Sequence, residues 1–122
     1  MRLQESGEMY LESIYVLSKR LSAVRSIDIS EYMGYSKPSV SRAVNLLKNG
    51  GYIQMDEENF ITLTASGLKI AEKIYDRHTV LTDMLVRLGV PEEVAAQDAC
   101  RMEHTISDET FEAIKRHVEQ IG

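Results

Sequence analysis

The strongest constraint on this chain is a pair of short amphipathic stretches, one closed by Gly34 and the other by Gly50-Gly51, with two β-prone runs directly behind them. Ile29 and Met33 are four residues apart, and Val40, Val44 and Leu47 follow at steps of four and three, so each stretch has one apolar face at helical period. Ser26 is expected to cap the first helix, with Asp28 favouring its positive end, and Ser36 the second, with Pro38 tolerated in the opening turn. Gly34-Tyr35 leaves room only for a tight turn, which makes the pair a helix-turn-helix. Residues 52–55 and 60–63 then read as strands around the polar turn Asp56-Glu57-Glu58-Asn59, a hairpin in the position of a wing. Upstream, Tyr10, Ile14, Leu17 and Leu21 mark a helix from Glu8 to about Leu21.

Beyond residue 63 the pattern is helical throughout. Thr64 is a cap for a helix whose stripe runs Leu68, Ala71, Ile74, Tyr75 and continues through Leu81, Leu85 and Leu88, as one long helix or two. Pro91-Glu92-Glu93 opens a segment reaching about His104, and Ser107-Asp108-Glu109 opens a last helix carrying Phe111, Ile114 and Val118; His117 belongs to no constellation and is expected at the surface. The expected fold class is mainly α, a winged helix-turn-helix DNA-binding domain over 1–63 followed by an all-α domain over 64–122. A lone winged helix needs fewer apolar helices than this, so the second domain is the expected surface of a homodimer. No apolar run approaches the ~20 residues that span a bilayer and the first residues lack a signal-peptide core, so the expected location is cytoplasmic, without a membrane partner. The single cysteine, Cys100, cannot form an internal disulfide and suits a reducing compartment.

Charge is unevenly distributed. Residues 1–75 hold 9 Lys/Arg and 9 Asp/Glu, whereas residues 76–122 hold 5 against 10, which accounts for the net charge of −5. Binding to DNA must therefore come from a local cationic face working against the general field. The outward face of the helix after Ser36 supplies one: Ser36, Lys37, Pro38, Ser39, Ser41, Arg42, Asn45 and Lys48. Hydroxyls at a helix N-terminus can bond phosphates, Arg42 can reach a guanine edge or a phosphate, and the Pro38 ring can pack on a thymine methyl. Arg25 is a further expected contact. Asp56, Glu57 and Glu58 would repel phosphates at the wing tip, so affinity is expected from the helix and Arg25. One such module reads few base pairs, which points to a symmetric dimer on a palindromic double-stranded operator.

A second constellation lies in the acidic half. Cys100, Glu103 and His104 stand at i, i+3, i+4, which brings thiolate, carboxylate and imidazole to one helix face within reach of one ion. Met9 and Glu12 form an i, i+3 pair on the first helix, and His78 lies on another. Singly, each has an ordinary explanation: Met9 as core filler, Glu12 as a solvated charge, His78 as an interhelical hydrogen-bonder, Cys100 as a core thiol. An enzyme would take Cys100 and His104 as nucleophile and base, but no Gly-rich oxyanion loop lies nearby and the chain offers no evident cleft, so no catalytic residue is assigned. A winged-helix regulator sensing an oxidant through Cys100, or a small organic ligand, leaves Met9, Glu12, Glu103 and His104 as coincidences.

Taken together, these segments resemble the DtxR/MntR metalloregulators, bacterial repressors that bind DNA when loaded with ferrous iron or manganese. The resemblance runs over essentially the whole chain and rests on E-M-Y-L-E-S-I-Y of Glu8 to Tyr15, S-K-P-S-V-S-R of Ser36 to Arg42, L-T-x-x-G of Leu63 to Gly67, His78, and A-C-R-M-E-H of Ala99 to His104. It implies that Met9, Cys100, Glu103 and His104 form the DNA-activating site of the iron-responsive branch and that His78 is a ligand common to both branches. Glu12 resembles the manganese branch, so the implied site is a hybrid. The ancillary iron-type site departs from the pattern, with Thr82 and Ala96 where the family has Glu and His; a second ion would instead use Glu12 and His78, sharing Glu103. The chain stops at Gly122, and a short form without the SH3-like third domain is expected.

Thioether and thiolate donors favour Fe(II), or Co(II), Ni(II) and Zn(II) as surrogates, over Mn(II), while the carboxylates keep manganese as the alternative. The expected switch is an ion tying the first helix, through Met9 and Glu12, to the later helices, and so selecting the conformation whose recognition helices match successive major grooves.

Overall fold

Most residues of the predicted apolar stripes are buried, and Gly34 and Gly50 stand where helices end. The computed structural model describes residues 5–121, with side chains over 6–120. Six helices and one hairpin stand among the described residues: α1 (Glu5–Arg20), α2 (Ser26–Met33), α3 (Lys37–Asn49), β1 (Ile53–Met55), β2 (Ile61–Leu63), α4 (Ala65–Arg87), α5 (Glu92–Met102) and α6 (Asp108–Ile121). The chain divides into two compact units between Glu72 and Lys73, inside α4. Among the described residues no helix is long and apolar enough to cross a membrane.

The first unit is a winged helix. Tyr10, Leu11, Ile14 and Leu17 of α1, Ile29 of α2 and Val40, Val44 and Leu47 of α3 close one core with Val24, Ile53, Ile61 and Ala71. β1 and β2 pair antiparallel in the register Ile53–Leu63, Gln54–Thr62, Met55–Ile61, and Val24 adds a bridge to Ile61 as a one-residue third strand. The wing turn is held by Asp56, whose Oδ1 accepts from the Glu58 and Phe60 N–H groups, both at 2.9 Å, and Asn59 takes the left-handed conformation (φ 67°) that an amide side chain tolerates.

The start of α4 is locked onto this unit. Thr64 Oγ1 donates to Gly51 O at 2.7 Å and accepts from Gly67 N–H at 3.2 Å, while Thr64 N–H donates to Tyr52 O at 3.1 Å. A Cβ at Gly67 would lie 2.0 Å from Tyr52 O. The L-T-x-x-G run is thus a cap followed by a residue that must lack a side chain, because helix and strand backbones touch there.

In the second unit, Ile74 and Leu81 of α4, Ala95 and Ala99 of α5 and Phe111 and Val118 of α6 are buried. His117 is exposed, as expected.

Several local expectations differ from the structure. Ser26 is the first residue inside α2 and Arg25 the N-cap, because the Asp28 carboxylate accepts from the Arg25 backbone N–H at 2.9 Å and closes the turn one residue earlier. Leu21 lies beyond the end of α1 and is exposed. On α4, a single helix, the inward row is Gly67, Ala71, Ile74, Arg77 and Leu81; Leu68 and Tyr75 flank it and are exposed, and Leu88 lies past the helix end. α5 stops at Met102, two residues before His104.

Candidate functional site

The outward face of α3 is set by the α2–α3 turn. Gly34 (φ 75°) ends α2 in the left-handed region and donates to Ser30 O at 2.9 Å, and the Ser30 hydroxyl donates to Tyr35 O at 2.6 Å, so both sides of the turn are tied. Ser36 caps α3 by accepting from Ser39 N–H at 3.3 Å. The Ser36 and Ser39 hydroxyls lie 2.9 Å apart and Arg42 Nη2 donates to Ser39 Oγ at 3.4 Å, which links the first-turn hydroxyls to the guanidinium. With Val40, Val44 and Leu47 turned into the core, Ser36, Lys37, Pro38, Ser41, Arg42, Asn45 and Lys48 are exposed and Ser39 is half-buried. The Arg25 guanidinium stacks over the Phe60 ring, 4.4 Å from its centroid, at the base of the wing. Behind the surface, the buried Tyr10 of α1 meets Tyr35 at 6.0 Å between ring centroids, and burial, followed by the nearby Tyr35, raises the Tyr10 phenol above its ordinary pKa.

The acidic cluster of the second unit is buried. Glu103 is the C-cap of α5, its N–H donating to Ala99 O at 2.9 Å, and its side chain is fully buried. Its Oε2 is 2.9 Å from His78 Nδ1 of α4, and its Oε1 is 3.4 Å from His104 Nε2 in the turn after α5. The structure therefore brings His78, Glu103 and His104 together. α5 ends at Met102 with Glu103 as its cap in helical conformation, so His104 reaches Glu103 from the first turn beyond the helix. Cys100 is half-buried on the last turn of α5. Met9 and Glu12 are half-buried on α1, in the first unit. Thr82 back-bonds to His78 O at 2.7 Å.

A carboxylate taken out of water is costly unless positive charge and hydrogen bonds compensate it. Oε1 of Glu103 is buried with no hydrogen-bond partner among the described residues, at the distance where His104 also faces it. A buried carboxylate with one oxygen on the His78 imidazole and the other, without a hydrogen bond, facing His104, and with a thiol one turn away in sequence, suits a divalent first-row cation.

The turn that carries Glu103 and His104 is held from α4 by Arg77, which is buried. Its Nη1 donates to Glu103 O at 3.0 Å and Ile106 O at 2.9 Å, and its Nη2 donates to Asp108 Oδ1. Lys73 reaches the same Asp108 oxygen at 2.9 Å. The hydrogen bond and charge of Lys73, reinforced by Arg77, hold the Asp108 carboxyl below the usual carboxylate range. Lys115 of α6 bonds Asp76 of α4 at 2.9 Å, which pushes its ammonium pKa up.

Two sequence profiles together match nearly the whole chain: iron dependent repressor, N-terminal DNA binding domain, over residues 2–59, and iron dependent repressor, metal binding and dimerisation domain, over residues 64–122. The chain belongs to the iron-dependent repressor family. Within that DtxR/MntR group of metal-dependent repressors, it is 34% identical over 113 residues to the transcriptional regulator MntR of Escherichia coli, covering 93% of this chain and 73% of that protein. An uncharacterized HTH-type transcriptional regulator of Methanocaldococcus jannaschii is 32% identical over 120 residues, covering 97% and 96%. Among solved structures, the manganese regulator SloR superposes with a TM-score of 0.83 at 28% identity, covering 98% of this chain, which spans about half of that one at 55%.

For a repressor of this family the residue that sequence reasoning missed is Arg77. Its signal was present: Arg77 falls three residues after Ile74 and four before Leu81, a cation in the inward row of an amphipathic helix, where charged groups are rare unless paired.

Proposed function

We propose that this chain is a transcriptional repressor that binds palindromic operator DNA as a homodimer when loaded with Fe(II), with 1–63 as the DNA-binding domain and 64–122 as the dimerisation and metal-binding domain. It acts in the cytoplasm as a regulator of metal-homeostasis genes and not as an enzyme. The observation that carries the reading is the buried Glu103 carboxylate flanked by His78 and His104, in a chain whose other unit exposes Arg42, Lys37 and Lys48 on one helix face. His78, Cys100, Glu103 and His104 would hold the ion, with Met9 and Glu12 as the ligands that the family resemblance adds. When bound, the ion supplies the positive charge that a buried carboxylate lacks.

The chain's own groups supply the rest. α1 packs through Tyr10, Leu11, Ile14 and Leu17 into the same core as α3, and Tyr10 meets Tyr35 at the entry to α3, so a change in α1 is felt by the reading surface within one unit. Ser36, Lys37, Pro38, Ser39, Ser41, Arg42, Asn45 and Lys48 contact DNA, Arg42 with the greatest reach. Arg25 steadies the wing through Phe60 while its charge faces the same partner. Linkage requires that DNA tighten metal binding by the factor by which metal tightens DNA binding.

Fluorescence anisotropy on promoter DNA, with Fe(II) under anaerobic conditions and with chelator, tests this: tight binding is expected only with metal, and equal affinity in both conditions overturns it. Manganese is the second reading, favoured by Glu12 and by the names of the MntR and SloR relatives. Replacing Cys100 by Ala separates the two. Loss of the Fe(II) response is expected, and an unchanged response removes Cys100 from the ligand set and with it the soft-donor argument for iron.

A further inference from the structure

Arg77 and His78 are consecutive on α4, and they grip Glu103 in two different ways. His78 meets the carboxylate at 2.9 Å, while Arg77 binds the backbone carbonyl of the same residue at 3.0 Å. The same guanidinium bonds Ile106 O and the Asp108 carboxylate, and its Cζ lies 5.4 Å from the Phe111 ring centroid. One side chain therefore holds both ends of the turn between α5 and α6.

Besides the Arg77 bonds and the His78–Glu103 and Lys73–Asp108 pairs, the bonds described within that turn are local. Thr105 N–H and Ile106 N–H donate back to Met102 O at 3.1 and 3.2 Å, and Ser107 caps α6 by accepting from Thr110 N–H at 3.1 Å; none of these bonds reaches α4. Without the guanidinium, the Glu103 and Ile106 carbonyls would lose a donor and Asp108 would keep only Lys73. Glu103 closes α5: its N–H still bonds Ala99 O, whereas its carbonyl is one of the helix's last and takes its donor from Arg77.

We infer that Arg77 is a positioning residue for the metal centre: by clamping the 103–108 turn to α4 it sets where the Glu103 carboxylate and His104 imidazole stand relative to His78. The inference rests on the metal reading above. Arginine suits the task and lysine does not, because three acceptors in different directions match a planar fork and exceed what a single ammonium can serve in one geometry. Groups that orient ligands without touching the ion commonly govern affinity by 10- to 100-fold, and they alter ligand geometry as well.

Co(II) titration of the full chain provides the test, reading both affinity and the d–d absorption spectrum, with far-UV circular dichroism to establish folding. Arg77→Met is expected to weaken Co(II) binding about 10-fold or more and to shift the d–d bands, with Arg77→Lys between Arg77→Met and the wild type. Lys115→Met breaks another α4–α6 tie that does not touch the turn, and is expected to leave both readouts unchanged. Should Arg77→Met fail to fold, Arg77→Lys and Asp108→Asn carry the test, each with a smaller shift in the same direction. Folded Arg77 variants with wild-type affinity and spectrum overturn the inference while leaving the metal reading intact. A wild type whose Co(II) uptake is absent, or is unaffected by Glu103→Gln, overturns both.

Discussion

The two units place their polar chemistry in opposite ways. In the winged-helix unit the apolar residues form a continuous core and the charged or hydroxylic groups of α3 stand outside it, so each of those side chains can change without disturbing the frame. In the unit from Lys73 onward the polar groups are inside: Glu103 is fully buried, and Arg77 occupies the inward row of α4. A surface that meets a polyanion only has to present charge, whereas a centre that holds a cation has to withdraw its donors from water. Function and stability are therefore separable in the first unit and entangled in the second.

The largest effect should come from the first unit's frame. Gly67→Ala places a methyl against the Tyr52 carbonyl, which a backbone cannot relieve by rotating away, and a loss of ~3 kcal/mol is expected in urea denaturation. A loss below 0.5 kcal/mol would mean that α4 is not tied to the hairpin as described. Next is Glu103→Gln. With saturating metal at about 100 times Kd the wild type should gain ~2.7 kcal/mol, and the variant should lose most of that gain while its metal-free stability stays equal or rises. If the metal-free variant is instead destabilised and metal still stabilises it, Glu103 is a structural partner of His78 only.

Arg42→Ala follows, weakening operator binding by ~1–3 kcal/mol, centred on ~2, in anisotropy with metal affinity untouched. A parallel loss of metal binding would break the separation drawn for the first unit. The smallest effect concerns acid. Because Lys73 and Arg77 depress the Asp108 carboxyl, its stabilising contribution is complete above the ordinary carboxylate pKa and is lost as pH falls through the depressed value in the fold. Asp108→Asn should therefore flatten the acid limb of the stability profile below about pH 4, and should change its slope little at neutral pH.

Much of the winged helix was legible because its signals are local. Ser36 and Thr64 are caps, Gly34 and Gly50 end helices, and Val40, Val44 and Leu47 face inward, each as their spacing indicates. The misjudged positions are those where a neighbour distant in sequence or a competing local bond decided. Asp28 moved the α2 cap to Arg25, and Leu68 and Tyr75 lost the inward row to Gly67, Ala71 and Ile74. In the second unit the residue types were readable, while the helix end among them was not. Cys100, Glu103 and His104 suggest one helix face, yet α5 ends at Met102 and His104 approaches Glu103 from a turn.

What the sequence determined alone is the order of elements, the exposed cationic face of α3 and the donor types gathered near residues 100–104, since periodicity, caps and side-chain chemistry are properties of short segments. Only the tertiary structure decided that Glu103 is buried between two imidazoles and that Arg77 clamps its turn. Burial and hydrogen-bond partnership depend on residues some 25 to 31 positions away on another helix, and no local pattern carries that distance.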